Sequence, residues 1–310
     1  MPDKKEKYQK IKLAKSNFTW VSINNPTEKE IDRLKRTYKF HHLDLEDCLS
    51  KNERPKIDDY DDYLFIVLKI PAKVRGGVRA GEVNLFISQD FVVTLHRENN
   101  ILKKTFDACK NSKTTKEEYM NSGSGYFLYK IIDDLFESGF PILNDLQKHM
   151  NELESEVFDR DYSQDRLKDI LMLKKDIINF RRTIMPQRAI IAQLEHKNKK
   201  FLPEDLDIYF DDIVDKIEKM WNSLENLQEL TASLQETNES IISHNTNNII
   251  KILTVFSVVM LPLTFVTGFY GMNVHDLPLA DGSNPVTNIS IVLVTIAVVM
   301  IGYFKYRKWI

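Results

Sequence analysis

Residues 249–269 read IIKILTVFSVVMLPLTFVTGF, an apolar run in which Lys251 is the one charged side chain. A second run, ISIVLVTIAVVMIGYF at residues 289–304, has no charged residue. A helix needs about 20 mostly apolar residues to cross the hydrocarbon core of a bilayer. Two such runs joined by a short loop predict a pair of transmembrane helices, with two buried helices of a soluble domain as the alternative.

The charges that flank the two runs predict their orientation. The connecting loop, residues 270–287, has no Lys or Arg but carries Asp276 and Asp281, whose field would attract cations. Basic residues lie at the opposite ends of the runs: Lys251, Lys305, Arg307 and Lys308. Because Lys and Arg concentrate on the cytoplasmic side of membrane proteins, we expect a multi-pass protein of the cell membrane. Both termini, including the basic tail at residues 305–310, would then lie in the cytoplasm, and Lys251 and the tail would form a basic cytoplasmic mouth.

Composition excludes several classes of protein. The 310-residue chain has a net charge of −2, so it lacks the basic excess of a nucleic-acid binder. Its N-terminus is polar, which predicts no cleaved signal peptide. Cys48 and Cys109 have neither the spacing of a metal motif nor the number of a disulfide framework, so the soluble part is expected to face a reducing compartment. No Gly-rich phosphate loop or nucleophile elbow is present, and we expect no enzyme activity.

Residues 1–125 have the pattern of an α/β domain. Short runs rich in Val, Ile and Phe predict strands at residues 18–23, 64–70, 83–88 and 91–96. Turns are predicted between them at Gly76, Gly77 and Gly81 and at Gln89–Asp90. Thr27 and Glu30 have the spacing of a capping box, which predicts a helix that continues to about Tyr38.

Helical periodicity dominates the rest of the chain. Residues 126–203 predict long antiparallel helices, because apolar residues recur every three or four positions. No Gly or Pro follows between Glu204 and Pro262, so residues 204–269 predict one helix of about 100 Å, a stalk that runs into the first span. Such a helix needs neighbours along its length, which favours a bundle of identical subunits. The second span is predicted at residues 288–304.

Small and polar residues form a stripe along the first span. Its members recur with alternating steps of three and four: Asn247, Ile250, Thr254, Ser257, Leu261, Thr264 and Gly268. One interpretation is a pore wall, in which neutral oxygens face a cation or its waters and the Ile and Leu form constrictions that close by dewetting. The other is a small-residue seam for helix packing.

Three groups of motifs carry a resemblance to a known family. The first span contains Pro262-Leu263-Thr264 and ends in Tyr270-Gly271-Met272-Asn273. Far upstream, Arg54-Pro55-Lys56 precedes an aspartate-rich stretch at residues 58–62. In this order, and followed by a second span and a basic tail, the motifs resemble the CorA family of divalent-cation channels over nearly the whole chain.

The resemblance implies a homopentameric, funnel-shaped channel embedded in membrane lipid. An α/β cytoplasmic domain would lead into the long stalk helix, whose first span lines the pore while the second packs outside. Gly271, Met272 and Asn273 would form the outer mouth, where a ring of Asn273 amides binds hydrated Mg²⁺. Mg²⁺ loses its waters reluctantly, and neutral amides can bind the hydration shell without stripping it. Gly271 would allow a sharp exit from the helix; the alternative role of the tripeptide is a helix C-cap.

The resemblance also implies inhibitory cation sites between neighbouring cytoplasmic domains. Asp212 matches the ligand aspartate of that motif, beside Asp211 and Asp215. The chain departs from the pattern at residues 71–74, where the partner aspartate is expected. Two alternatives stay open: carboxylates of the 58–62 stretch serve instead, or the acids are a solvated face.

A separate cluster near the N-terminus is a candidate transition-metal site, comprising His41, His42, Asp44, Glu46 and Asp47. The alternative interpretation is the start of a surface helix with acidic residues in its first turn.

The leading functional hypothesis is a channel for influx of Mg²⁺, with Co²⁺ and Ni²⁺ as further ions and cytoplasmic Mg²⁺ as the regulatory ligand. One alternative is a Zn²⁺ transporter of the same superfamily. Related Zn²⁺ transporters tend to differ in the middle residue of the tripeptide, and Met272 keeps the usual form. Another alternative is a non-conducting, membrane-anchored cation sensor, against which the hydroxyl-rich stripe argues.

Overall fold

The computed structural model describes residues 7–13, 18–50, 53–97, 99–157, 164–195, 197, 201–272, 278 and 284–309. The chain divides into two units, Met1–Gln235 and Glu236–Ile310. The first contains all the strands of the sheet, and the second contains the two apolar runs.

A six-stranded mixed sheet forms the centre of the first unit. In chain order its strands are β1 (Tyr8–Lys12), β2 (Thr19–Asn24), β3 (Lys56–Asp59), β4 (Leu64–Val74), β5 (Gly77–Ile87) and β6 (Phe91–His96). The spatial order is β1-β2-β6-β5-β4-β3, and β2 and β6 pair in parallel while the other pairs are antiparallel.

The strand predictions are confirmed, with one correction in a turn. All four predicted runs are strands, and the Gln89–Asp90 turn connects β5 to β6. Gly76 and Gly77 make the β4–β5 turn with φ of 93° and 120°, in the region that favours glycine. The prediction that Gly81 belongs to this turn is wrong: Gly81 lies within β5 opposite Ile70, because the ladder continues to the register pair Val74 and Gly77.

Helices flank the sheet and then continue to the end of the chain. They are α1 (Glu28–Tyr38), α2 (His42–Asp47), α3 (Asn100–Asn111), α4 (Lys113–Met120), α5 (Gly123–Glu137), α6 (Gly139–Val157), α7 (Gln164–Glu195), α8 (Asp207–Tyr270) and α9 (Pro285–Tyr306). The Thr27 capping box and the end of α1 at Tyr38 are as predicted.

Opposite faces of the sheet are covered by different helices. Side chains alternate along a strand, so Val21 and Ile23 point to one face and Trp20 to the other. Val21 and Ile23 belong to a buried cluster that includes Leu34 of α1. Trp20 packs edge-on against Phe106 of α3, with ring centroids 4.8 Å apart, and its indole N–H donates to Thr94 at 3.2 Å. The result is a layered α/β domain.

The predicted long helix is observed as α8, which continues for 64 residues through Pro262. Its first part buries a stripe at helical spacing, comprising Ile213, Ile217, Met220, Leu224 and Leu227. Its last part and α9 are both long and apolar enough to cross a membrane, and their most apolar windows contain almost no buried residues. Exposed apolar side chains of this kind suit contact with lipid rather than with a protein core.

Candidate ion pathway and cation sites

The polar stripe of the first span lies on a free face of α8. Within the second unit, α8 meets α9 through Lys251, whose Nζ donates to the carbonyl of Lys308 at 3.0 Å, and through the buried Val255. A helix turns about 100° per residue, so the stripe is centred about 110° from the midpoint of these two residues. Every stripe member is exposed: Asn247, Ile250, Thr254, Ser257, Leu261, Thr264 and Gly268. Packing against α9 therefore does not account for the stripe.

The hydroxyl groups of the stripe threonines donate hydrogen bonds to backbone carbonyls of their own helix. Thr254 donates to the carbonyl of Ile250 at 2.7 Å, and Thr264 donates to that of Met260 at 2.9 Å. A hydroxyl that donates to its own helix keeps oxygen lone pairs for an acceptor role on its outer side. The face can thus accept hydrogen bonds from the waters of a hydrated cation. The apolar members Ile250 and Leu261 are 54% and 70% exposed, so they project from the same face.

Gly271 directly follows the end of the first span, which is Tyr270. Its N–H donates to the carbonyl of Thr267 at 2.9 Å, and its backbone is outside the left-handed region. The predicted sharp exit depends on the path of the chain after Met272, and the next five residues lie outside the described residues. Met272 is exposed and follows with a bond from its N–H to the carbonyl of Phe269 at 3.3 Å. The other residues predicted here lie outside the described residues: Asn273, Asp276 and Asp281.

Basic residues meet at the opposite end of this helix pair. The bond from Lys251 to the Lys308 carbonyl joins the start of the first apolar run to the end of α9. Lys305, Arg307 and Lys308 are all exposed. Their ammonium and guanidinium groups are thus grouped at one end of the two helices.

The acidic motif at the start of α8 is exposed but not free of partners. Asp211, Asp212 and Asp215 all face solvent. Asp212 is 3.3 Å from the ammonium of Lys216, which also pairs with Asp133 and lies 3.6 Å from Glu137 of α5. Asp212, Asp215 and Glu137 line one shallow groove with Lys216 and Lys219. Sequence reasoning missed Lys216, although its position four residues after Asp212 could have indicated an ion pair.

The histidine cluster proposed near α2 is not assembled. His41 caps α2 by accepting from the Leu43 N–H at 3.4 Å, and its ring is tilted by 38° against that of His42. Among the described residues, the carboxylates that approach one another as metal ligands do are instead those of Asp44, Asp47 and Asp58.

The three carboxylates do not surround an open metal site, because a lysine ammonium lies against two of them. The ammonium of Lys56 lies 2.7 Å from Asp47 and 2.6 Å from Asp58. Asp44 accepts hydrogen bonds from Tyr60 and Tyr63, both at 3.0 Å, and burial raises its pKa. The group is therefore satisfied as a structural network. In the 58–62 stretch, Asp59 also pairs with a lysine, Lys197, at 2.9 Å.

The chain is similar in sequence and in fold to known metal-ion transport proteins. A family model described as CorA-like Mg²⁺ transporter protein matches residues 15–307. The cobalt/magnesium transport protein CorA of Thermotoga maritima is 27% identical over 299 residues, which cover 95% of this chain and 84% of that protein. The zinc transport protein ZntB of Yersinia enterocolitica is 23% identical over 189 residues, 61% of this chain and 57% of that protein. The solved structure of the CorA magnesium transporter from Methanocaldococcus jannaschii superposes with a TM-score of 0.84 at 22% identity and covers 97% of this chain and 94% of that chain.

Proposed function

Because this chain belongs to the family of CorA-like Mg²⁺ transporter proteins, we propose that it is one subunit of a channel that admits Mg²⁺ to the cytoplasm. The observation that carries the proposal is the exposed polar stripe of α8, which lies outside the contact of this helix with α9. Mg²⁺ is preferred to Zn²⁺ because the relative named for cobalt and magnesium aligns with 95% of this chain, whereas the relative named for zinc aligns with 61%.

The stripe supports assembly of identical subunits around a pore. A membrane helix that exposes hydroxyls to lipid gains nothing from them, whereas several copies facing one another would enclose a polar path. In this arrangement Asn247, Thr254, Ser257 and Thr264 supply rings of neutral oxygens. Ile250 and Leu261 supply rings that exclude water when the path narrows. Five copies are proposed on the resemblance to the family.

The two ends of the path follow from charge. Asn273 is proposed to bind hydrated Mg²⁺ at the outer mouth, beside Asp276 and Asp281, which raise the local cation concentration. The grouped Lys251, Lys305, Arg307 and Lys308 support a cytoplasmic position for the other end. Residues 204–269 then serve as the stalk and pore helix, residues 270–287 as the outer loop and residues 288–304 as the outer span. The N-terminal segments, residues 1–125 and 126–203, and the tail at 305–310 lie in the cytoplasm.

Flux into liposomes tests the function directly. Purified full-length protein is reconstituted with a Mg²⁺-sensitive dye inside, and an inward gradient of Mg²⁺ is applied with a negative internal potential. We expect dye signal above that of empty liposomes, since about 2.3 kcal/mol per charge per 100 mV favours entry. Zn²⁺ in place of Mg²⁺, read with a zinc dye, provides the comparison. Flux of Zn²⁺ alone would transfer the assignment to a zinc transporter, and no flux of either ion would favour the cation sensor.

Closure by cytoplasmic Mg²⁺ is proposed to use the groove at the start of α8. Asp212, Asp215 and Glu137 offer oxygen ligands of the kind that Mg²⁺ prefers. In the single chain the ammonium of Lys216 compensates part of their charge. A cation held there between neighbouring subunits would stabilise the closed assembly, and its loss would leave like charges that favour opening.

Asn in place of Asp212 is expected to weaken inhibition by internal Mg²⁺. The amide keeps the shape of the side chain but removes one charged ligand, and a loss of about 1 kcal/mol would raise the half-inhibiting concentration about fivefold. Lys216 retains Asp133 as a partner, so the fold should be preserved. Asp205→Asn, an exposed acid outside the groove, is the control. Equal inhibition of parent and Asp212→Asn would exclude Asp212 as a regulatory ligand.

A further inference from the structure

A groove lies at the carboxyl ends of β2 and β6, where the helices that follow these two strands pass to opposite faces of the sheet. β2 and β6 are the parallel pair, and their last residues, Asn24 and His96, are register partners. The helix that follows β2, α1, covers one face of the sheet, whereas α3, which follows β6, packs on the other. In open α/β sheets, ligands bind outside the carboxyl ends of parallel strands at such a switch point.

A buried histidine presents a hydrogen-bond donor in this groove. His96 is 3% exposed, and its Nδ1 accepts from the N–H of Asn99 at 3.3 Å. Burial lowers the pKa of His96 to about 4, so the ring is neutral at physiological pH and its proton lies on Nε2. In the described part of the chain, no group accepts from Nε2, although the ring lines the groove. Nε2 is not among the described buried side-chain atoms that lack a partner, so it opens onto the groove, where its N–H can donate to a bound ligand.

The charges of the groove indicate what that ligand carries. Lys103 and Lys110 lie two turns apart on α3, with Asp107 between them, and Lys7 lies across the groove. None of the three lysines forms an ion pair with any residue that the structure describes. Three ammonium groups against one carboxylate give the groove two net positive charges. A phosphate monoester carries about −1.5 to −2 at neutral pH, which matches this excess.

We propose that this groove binds a small phosphate-bearing anion, held by the ammonium groups of Lys7, Lys103 and Lys110 and by the Nε2–H of His96. The groove encloses about 560 Å³, within the range of about 300–1,000 Å³ that is usual for small-molecule sites. Asn24 and Asn25 line it as well and supply amide groups for the rest of the ligand. The site is independent of the ion pathway, since all of its residues belong to the first unit.

Calorimetric titration of the purified full-length protein in divalent-free buffer tests the proposal, with inorganic phosphate and AMP as probes. We expect saturable binding of at least one probe. Removal of two charges in Lys103→Ala/Lys110→Ala should weaken it by at least about tenfold, the equivalent of about 1.4 kcal/mol. The matched control is Lys104→Ala/Lys113→Ala, which removes the same charge from neighbouring exposed positions outside the groove.

Each outcome decides the proposal. Saturable binding that is lost in the groove variant and kept in the control supports it. Tighter binding of AMP than of phosphate then assigns the ligand to nucleotides, and equal binding assigns recognition to the phosphate group alone. No saturable binding of either probe would overturn it. Equal weakening in both double variants would also overturn it, since the attraction would then be diffuse and without a site.

Discussion

Leucine in place of Ser257 is expected to reduce Mg²⁺ influx by at least about tenfold, because a barrier higher by about 1.4 kcal/mol suffices for that change. Ser257 lies near the middle of the exposed stripe, between Thr254 and Leu261. In an assembly of identical subunits, one substitution replaces a whole ring of hydroxyl acceptors by isobutyl groups. The altered ring would extend the apolar constriction of Leu261 toward the cytoplasmic end of the path and favour dewetting.

The same change in α9 provides the control. Ser290 is also exposed and also lies in an apolar run, but it belongs to the span proposed to pack outside the pore. Ser290→Leu should therefore leave influx within about twofold of the parent, since in the proposed arrangement this side chain does not line the path. Both variants are compared in liposomes at equal protein content, with the size of the solubilised assembly measured by gel filtration. Parental influx in a correctly assembled Ser257→Leu would favour the helix-packing seam over the pore wall.

Alanine in place of Asn273 is expected to abolish most influx at low external Mg²⁺. The side-chain amide accepts hydrogen bonds from the waters of hydrated Mg²⁺, and alanine removes this acceptor from every subunit at once. Loss of about 1.5 kcal/mol from one hydrogen bond to a charged group is enough for about a tenfold effect. Because the proposed loss is one of ion binding, part of the flux should return at high external Mg²⁺.

Asn288→Ala is the matched control for this substitution. Asn288 lies in the first turn of α9, and its side chain is exposed. The flux is measured with the internal dye over a range of external Mg²⁺ concentrations. Unchanged flux in Asn273→Ala at low Mg²⁺, or an equal loss in Asn288→Ala, would exclude Asn273 as the ligand of the outer mouth. The alternative role of Gly271-Met272-Asn273 as a helix C-cap would then be favoured.

Local and periodic features could be predicted from the sequence. The strands, α1 and its capping box, the unbroken α8 and the two apolar helices are confirmed. Each is specified by side chains that are neighbours along the chain, or by a period of two or between three and four residues. The positions of glycines were less informative. Gly81 is predicted to be a turn residue but lies in a strand, because tertiary pairing overrides local preference.

The sequence by itself therefore determined the family, the α/β and helical organisation, the apolar spans and the polar stripe, because each is carried by the order and spacing of residues. The tertiary structure decided which residues meet across long separations. Examples are the parallel pairing of Asn24 with His96, the ion pair of Lys216 with Asp133 and the ion pair of Lys56 with Asp47. The physical reason is that a long-range contact depends on how whole elements pack against each other, and no period or motif within a single element encodes it.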